Sequence, residues 1–411
     1  MLFIRAVKPC PSERLFGAIK REGFCLTISL SSSLFLADEM WLMALCFPVR
    51  PDASSPFDLE AMVRHLPSPD LAQLFERAQH ERLLPLLSWK LQRPDGWPFS
   101  IRTQIPHLSD EIRQRARSAL RQQRKAAMLQ EALLQDVAHH LQSLNTHAIL
   151  YKGSAYERSL YPDLGLRPMV DTDIIVPASA YEALCLRLEQ HGYHRMIKHH
   201  PHEQGFLHPP TATLLDVHLA LSPEQEGLFD VSALFPLGVP LGAAPACLVL
   251  PPAMLLLLHL FHLRGNGMNP SEAPLLSVVD LLLLAQQATE ERESLWRNAQ
   301  RWRCVGLLRL ADALIQGLFL TPPLPLAPTP RSPWEALQCV VLPRLLACIR
   351  QSKHHVEVSP TGFRSPQDQA LRSLLRFFCY DTLPDLLRSQ TAKAMRLIAR
   401  AIKERAAHRG G

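Results

Sequence analysis

The chain has 411 residues, 47% hydrophobic and 20% charged, an ordinary globular balance with room for more than one packing unit. Its formal net charge of +6 is matched by the single stretch Arg388 to Arg409, which holds seven Lys/Arg against one Glu, so the rest of the chain is balanced and is not a basic body suited to coating nucleic acid. The nine cysteines are odd in number and scattered, with no Cys-x-x-Cys pair, which points to reduced thiols in a cytoplasmic protein and away from a disulfide framework or structural zinc.

Residues 1–39 read as a leader, disordered or mis-assigned, with Met40 the natural beginning. Lys20, Arg21 and the apolar run Phe24 to Ala37 have the outline of a signal peptide, but Ser29, Ser31, Ser32 and Ser33 interrupt it. Residues 40–145 form an N-terminal helical region. Within it Asp110 to Leu144 is one long helix, because Leu120, Ala127, Leu134 and Leu141 make an apolar stripe. Arg113, Arg115, Arg117, Arg121, Arg124 and Lys125 crowd its first half as a solvated face, with a phosphate or RNA contact as the sharper alternative.

Residues 146–250 are an α/β core. Ala148 to Tyr151 is a strand, Ser154 to Leu160 a helix, Pro162 to Pro168 a loop and Asp171 to Val176 a strand. A helix runs from Pro177 and Ser179 to His191 and ends at Gly192; Tyr193 to His200, Gly205 to His208 and Thr213 to Leu219 are strands. Residues 251–320 are helical and pack on the core. The apolar Ala246 to Leu263 is broken by Pro251-Pro252 and carries His259 and His262, so it reads as a strand and a buried helix, not a membrane span. Residues 321–333 are a Pro-rich linker, and 334–411 are C-terminal helices ending in the basic tail, a candidate polyanion contact.

Three short segments carry the chemistry. Lys152-Gly153-Ser154 sits where a strand turns into a helix, a place where backbone N–H groups can meet phosphate. Asp171 and Asp173 are two apart on a strand and so share a face, with Thr172 on the other. Asp216, in Leu214-Leu215-Asp216-Val217-His218, is presented from another strand. Three carboxylates on neighbouring strands can hold two Mg²⁺ ions, which drive phosphoryl or nucleotidyl transfer. Lys152 and Arg167 can neutralise triphosphate, or instead orient a carboxylate. His218 faces the same way as Asp216, as a contact to nucleotide, an orienting group or a plain strand-end histidine. The pair His259 and His262 has three-residue spacing and no Glu beside its first member, unlike a metalloprotease zinc helix, and His199, His200, His202 and His208 read as part of a hairpin near the active site and not as a zinc site.

Leu150 to Ala155, Leu160 to Asp163, Gly165 to Met169 and Asp171 to Ile174, followed by Asp216-Val217-His218, resemble a bacterial family of uncharacterised nucleotidyltransferases within the DNA polymerase beta-like superfamily. The similarity runs from about Trp41 to the Pro-rich stretch near Pro322. It implies an α+β fold, a small mixed-sheet nucleotidyltransferase core flanked by N- and C-terminal helical regions. It also implies two Mg²⁺ ions on Asp171, Asp173 and Asp216, and an NTP met by Lys152, Gly153, Ser154 and Arg167. The acceptor is an unspecified hydroxyl on a small molecule, a protein or an RNA. Two alternatives stay open: a catalytically silent nucleotide-binding regulator, and a toxin-antitoxin-type enzyme that modifies protein or RNA.

Overall fold

The computed structural model describes residues 37–47, 63–93, 99–105, 109–196, 202–221, 231–265, 275–316 and parts of 326–342. The leader to residue 36, the start of the Pro-rich linker, most of the C-terminal helices and the whole basic tail lie outside the described residues, and so do His199 and His200.

Five helices precede the sheet: α1 (Ala37–Cys46), α2 (Leu71–His80), α3 (Leu84–Leu91), α4 (Phe99–Gln104) and α5 (Asp110–Ser143). Short polar side chains start two of them. Asp70 accepts the Ala72 N–H at 2.8 Å ahead of α2, and Ser109 accepts the Ile112 N–H at 3.3 Å ahead of α5. The heptad stripe of α5 is buried at Leu120, Ala127, Leu134 and Leu141, whereas Arg113, Arg115, Arg117, Arg121, Arg124 and Lys125 face solvent. Arg115 pairs with Glu76 at 2.5 Å and Arg124 pairs with Asp163.

The first helix begins three residues before the expected start at Met40. Glu39 is buried and pairs with Arg77 of α2 at 2.7 Å, while Asp38 accepts from the Gln73 amide at 2.9 Å. Residues 37–39 are therefore part of the fold, and the boundary placed at Met40 cuts through a helix and its ion pair.

The sheet has seven strands: β1 (Ala148–Tyr151), β2 (Asp171–Ile175), β3 (His194–Arg195), β4 (Glu203–His208), β5 (Thr213–His218), β6 (Val239–Leu241) and β7 (Ala244–Val249). Their order across the sheet is β3-β4-β5-β2-β1-β7-β6. Strand β2 is antiparallel to β1 and parallel to β5, so the sheet is mixed, as the α+β reading required. Helix α6 (Gly153–Leu160) joins β1 to the loop before β2, and α7 (Ala178–Gln190) follows β2.

Four further helices follow: α8 (Pro252–Gly265), α9 (Leu275–Ala288), α10 (Arg292–Arg301) and α11 (Val305–Gln316). Leu255, Leu256, Leu257, Leu258 and Leu260 of α8 are completely buried. A helix that is apolar all round belongs in the middle of a core. Among the described residues, no helix is long and apolar enough to cross a membrane. One hydrophobic cluster runs from Trp41 and Leu42 through Ile149, Ile174 and Val217 to Leu256, Val279 and Leu308. The helices before and after the sheet thus share its core.

Candidate active site

Strand register brings the carboxylates together. Asp173 lies opposite Tyr151 of β1 on one side and opposite Asp216 of β5 on the other. Two residues on, Ile175 faces His218. Side chains at Asp216 and His218 share a face of β5, so both reach the Asp173 side of the sheet. The three are buried, at 3%, 7% and 3% exposure, and their ligand atoms lie within 4.8 Å of one another. Two carboxylates and an imidazole at that spacing fit a divalent cation by donor type. Among the described residues no other group of three such side chains converges in this way.

Asp171 stands at the start of β2, half-buried and opposite Leu214, outside that group of three. Its charge reaches Lys152 and helps hold that side chain protonated.

Lys152 is at the centre of the electrostatics. Its Nζ is 2.6 Å from Asp173 Oδ1, and His218 Nε2 is 2.8 Å from the same oxygen. Burial alone would raise the Asp173 carboxyl, but the Lys152 ammonium and His218 hold it well below the usual carboxylate range. Burial likewise works against the ammonium, and the Asp173 charge outweighs it, so Lys152 is held above the ordinary lysine range. The Lys152 backbone has φ +50° and ψ −130°, a conformation that costs a non-glycine residue about 1–3 kcal/mol. The sharp turn from β1 into α6 is made at this residue.

The Gly-Ser turn differs in detail from its expected role. The Ser154 hydroxyl is buried and held by the Tyr151 carbonyl at 2.7 Å and the Asp173 carbonyl at 3.0 Å, tying the helix start to β2. The Lys152 carbonyl accepts from the N–H groups of Ala155 and Tyr156. The N–H groups of Gly153 and Ser154 are then the helix-start donors without an acceptor inside the helix. A Cβ on Gly153 would lie 2.3 Å from Arg167 Nη1, so any larger residue there would have to push the guanidinium aside.

Arg167 has a partner of its own. Its Nη2 is 2.8 Å and its Nε 3.0 Å from the carboxylate of Asp280, a fully buried residue of α9. Tyr161 donates to the same carboxylate at 2.7 Å, and the guanidinium lies over the Tyr156 ring. The structure therefore places Arg167 as a clamp between the loop before β2 and α9, and not against the three carboxylates.

The sequence reading missed three side chains around the cluster. Glu203 of β4 lies opposite His218, with Oε2 3.5 Å from His218 Nδ1. Tyr151 packs edge-on to both His218 and His262. His262, read first as half of an unconvincing zinc pair, is held down to about 3 by burial and next by the Lys152 charge. It is a neutral wall of the site. Its neighbour in that pair, His259, points elsewhere: Nε2 meets the Ser277 carbonyl at 2.9 Å and Nδ1 the Tyr156 hydroxyl at 3.2 Å. The histidine at the far end of β4, His208, contacts Thr211 and faces Asp136, away from His218. Register explains the gap, since Glu203 and His218 meet only because β4 and β5 form a hairpin.

The arrangement sets a strand-turn-helix beside strands that carry paired acidic side chains. A model of the family described as uncharacterised nucleotidyltransferase matches residues 67–319, and the chain belongs to that family. No match was found among curated proteins or among solved structures.

Proposed function

We propose that this chain is a divalent-metal-dependent nucleotidyltransferase of the DNA polymerase beta-like superfamily, bacterial in origin. It would transfer a nucleoside monophosphate from an NTP to a hydroxyl on a small molecule, a protein or an RNA. The observation that carries this reading is the pairing of Asp173 with Asp216 across parallel strands, with His218 beside them. Carboxylate oxygens suit Mg²⁺, two ions in the fullest form of the proposal. Such ions polarise the transferred phosphoryl group and stabilise the attacking and leaving oxygens.

The chain's own residues divide the remaining work. Asp173 and Asp216 would hold the metal, with Asp171 serving its outer side. Asp216 would also draw the proton from the acceptor hydroxyl. Lys152 and the N–H groups of Gly153 and Ser154 would take up triphosphate charge. Arg167 would act through position, keeping the loop before β2 in place. The basic tail would contact a polyanionic acceptor.

The test uses an NTP labelled at its α-phosphate, Mg²⁺ and a cell extract separated into protein, nucleic-acid and small-molecule fractions. The wild-type chain should move label into one fraction. Asp173→Asn should lower that transfer by roughly a hundredfold or more while keeping the fold. Equal labelling by wild type and variant would remove the assignment.

A further inference from the structure

We propose that Lys152 is a resident counter-ion of the carboxylate cluster, and that a divalent cation binds by displacing its ammonium from Asp173. This deepens the proposed function and rests on its metal site. Lys152 is in contact with Asp173 and within electrostatic reach of Asp171, while Asp216 lies beside Asp173 and Glu203 behind His218. A buried carboxylate needs a compensating charge whether or not a metal is bound. Lys152 supplies it, at 2.6 Å from the same Oδ1 that receives His218.

The Asp173 carboxylate also belongs to the group that converges on a cation position, so ammonium and metal compete for it. The geometry gives Lys152 a way out. Its side chain is 25% exposed while that of Asp173 is 4% exposed, so the ammonium enters from the open side of the site. A lysine is suited to exchange of this kind, being a point charge on a flexible stem. The strained backbone at Lys152 fixes the root of that stem at the helix start. The released ammonium would remain tethered at the helix start that carries the Gly153 and Ser154 N–H groups. Metal binding would thereby set free the cation that the triphosphate requires.

Two measurements on the full chain without nucleotide test the exchange, with Mn²⁺ as the probe. In calorimetric titration Lys152→Met should bind Mn²⁺ about tenfold more tightly than wild type, or more, because a charge-assisted contact to Asp173 no longer competes. Asp216→Asn should abolish binding in either background. The second measurement needs no variant at Lys152 and so does not depend on that variant folding. Reductive methylation read by mass spectrometry should label Lys152 faster as Mn²⁺ saturates the wild-type protein. Unchanged labelling, or unchanged affinity in Lys152→Met while Asp216→Asn still abolishes binding, overturns the exchange and leaves the metal site standing. Absence of Mn²⁺ binding in wild type and Lys152→Met alike overturns both.

Discussion

The pair formed by Arg167 and Asp280 is the clearest case of a residue whose partner decides its role. A buried carboxylate with two hydrogen-bonded neighbours, Arg167 and Tyr161, is costly to leave half paired. Arg167→Met should therefore destabilise the chain by about 3–5 kcal/mol. The double variant Arg167→Met with Asp280→Leu should recover a large part of that loss, because no orphaned charge remains. Urea-unfolding midpoints measure both. If the single variant is as stable as wild type, the clamp has no structural weight. The sequence showed a cation just ahead of the Asp-x-Asp strand and suggested phosphate. Its partner lies 113 residues on, inside the apolar run Val278-Val279-Asp280-Leu281. A lone Asp in such a run announces a buried cation but does not say which. Asp171, Asp173 and Asp216 were visible as a set because strand alternation and β-branched neighbours mark them. The separation of Asp171 from the other two depends on side-chain placement at a strand end, which alternation does not encode.

At the scale of elements, the strands that present the site follow from local pattern. Ile174-Ile175-Val176 and Leu214-Leu215 are the runs expected of buried strands, and β2 and β5 form there. The long helix α5 follows from its stripe. Strand β6 was not read, because Val239-Pro240-Leu241 is three residues long and contains a proline, which confines it to a sheet edge. The start of α1 was placed too late for a related reason. Ala37-Asp38-Glu39 has no periodicity of its own, and its value lies in Gln73 and Arg77 of another helix. A chain beginning at Met40 should thus be less stable than one beginning at Leu34, by about 1–2 kcal/mol, the worth of the lost charge-assisted hydrogen bond, with Arg77 keeping Glu81 at 3.0 Å. Thermal unfolding of the two at one pH compares them directly. Equal stability would show that the Glu39–Arg77 pair contributes nothing.

Across the whole molecule, burial of histidine makes stability depend on pH. His259 is held down to about 4, by burial first, with Asp280 acting the other way. The Ser277 carbonyl can only accept, so Nε2 carries the proton and Nδ1 accepts from the Tyr156 hydroxyl. The unfolded chain takes up a proton near pH 6.5 that the folded one refuses until about pH 4. The contribution of this neutral histidine is fully present above about pH 6.5 and is lost as pH falls toward the folded value, a total of roughly 3 kcal/mol. Urea midpoints should therefore drop between pH 7.5 and 5 more steeply in wild type than in His259→Gln. Matching slopes would mean that the imidazole titrates as if exposed.

The functional account stands on a cation and a nucleotide meeting at one point of the sheet, where β2 and β5 run side by side. Crystals grown with Mn²⁺ and a non-hydrolysable NTP, with data collected for the anomalous signal of manganese, test this most directly. The account predicts a peak between the carboxylates of Asp173 and Asp216, with the triphosphate against the start of α6. Manganese or nucleotide bound elsewhere, with Asp173 and Asp216 left untouched, would contradict it.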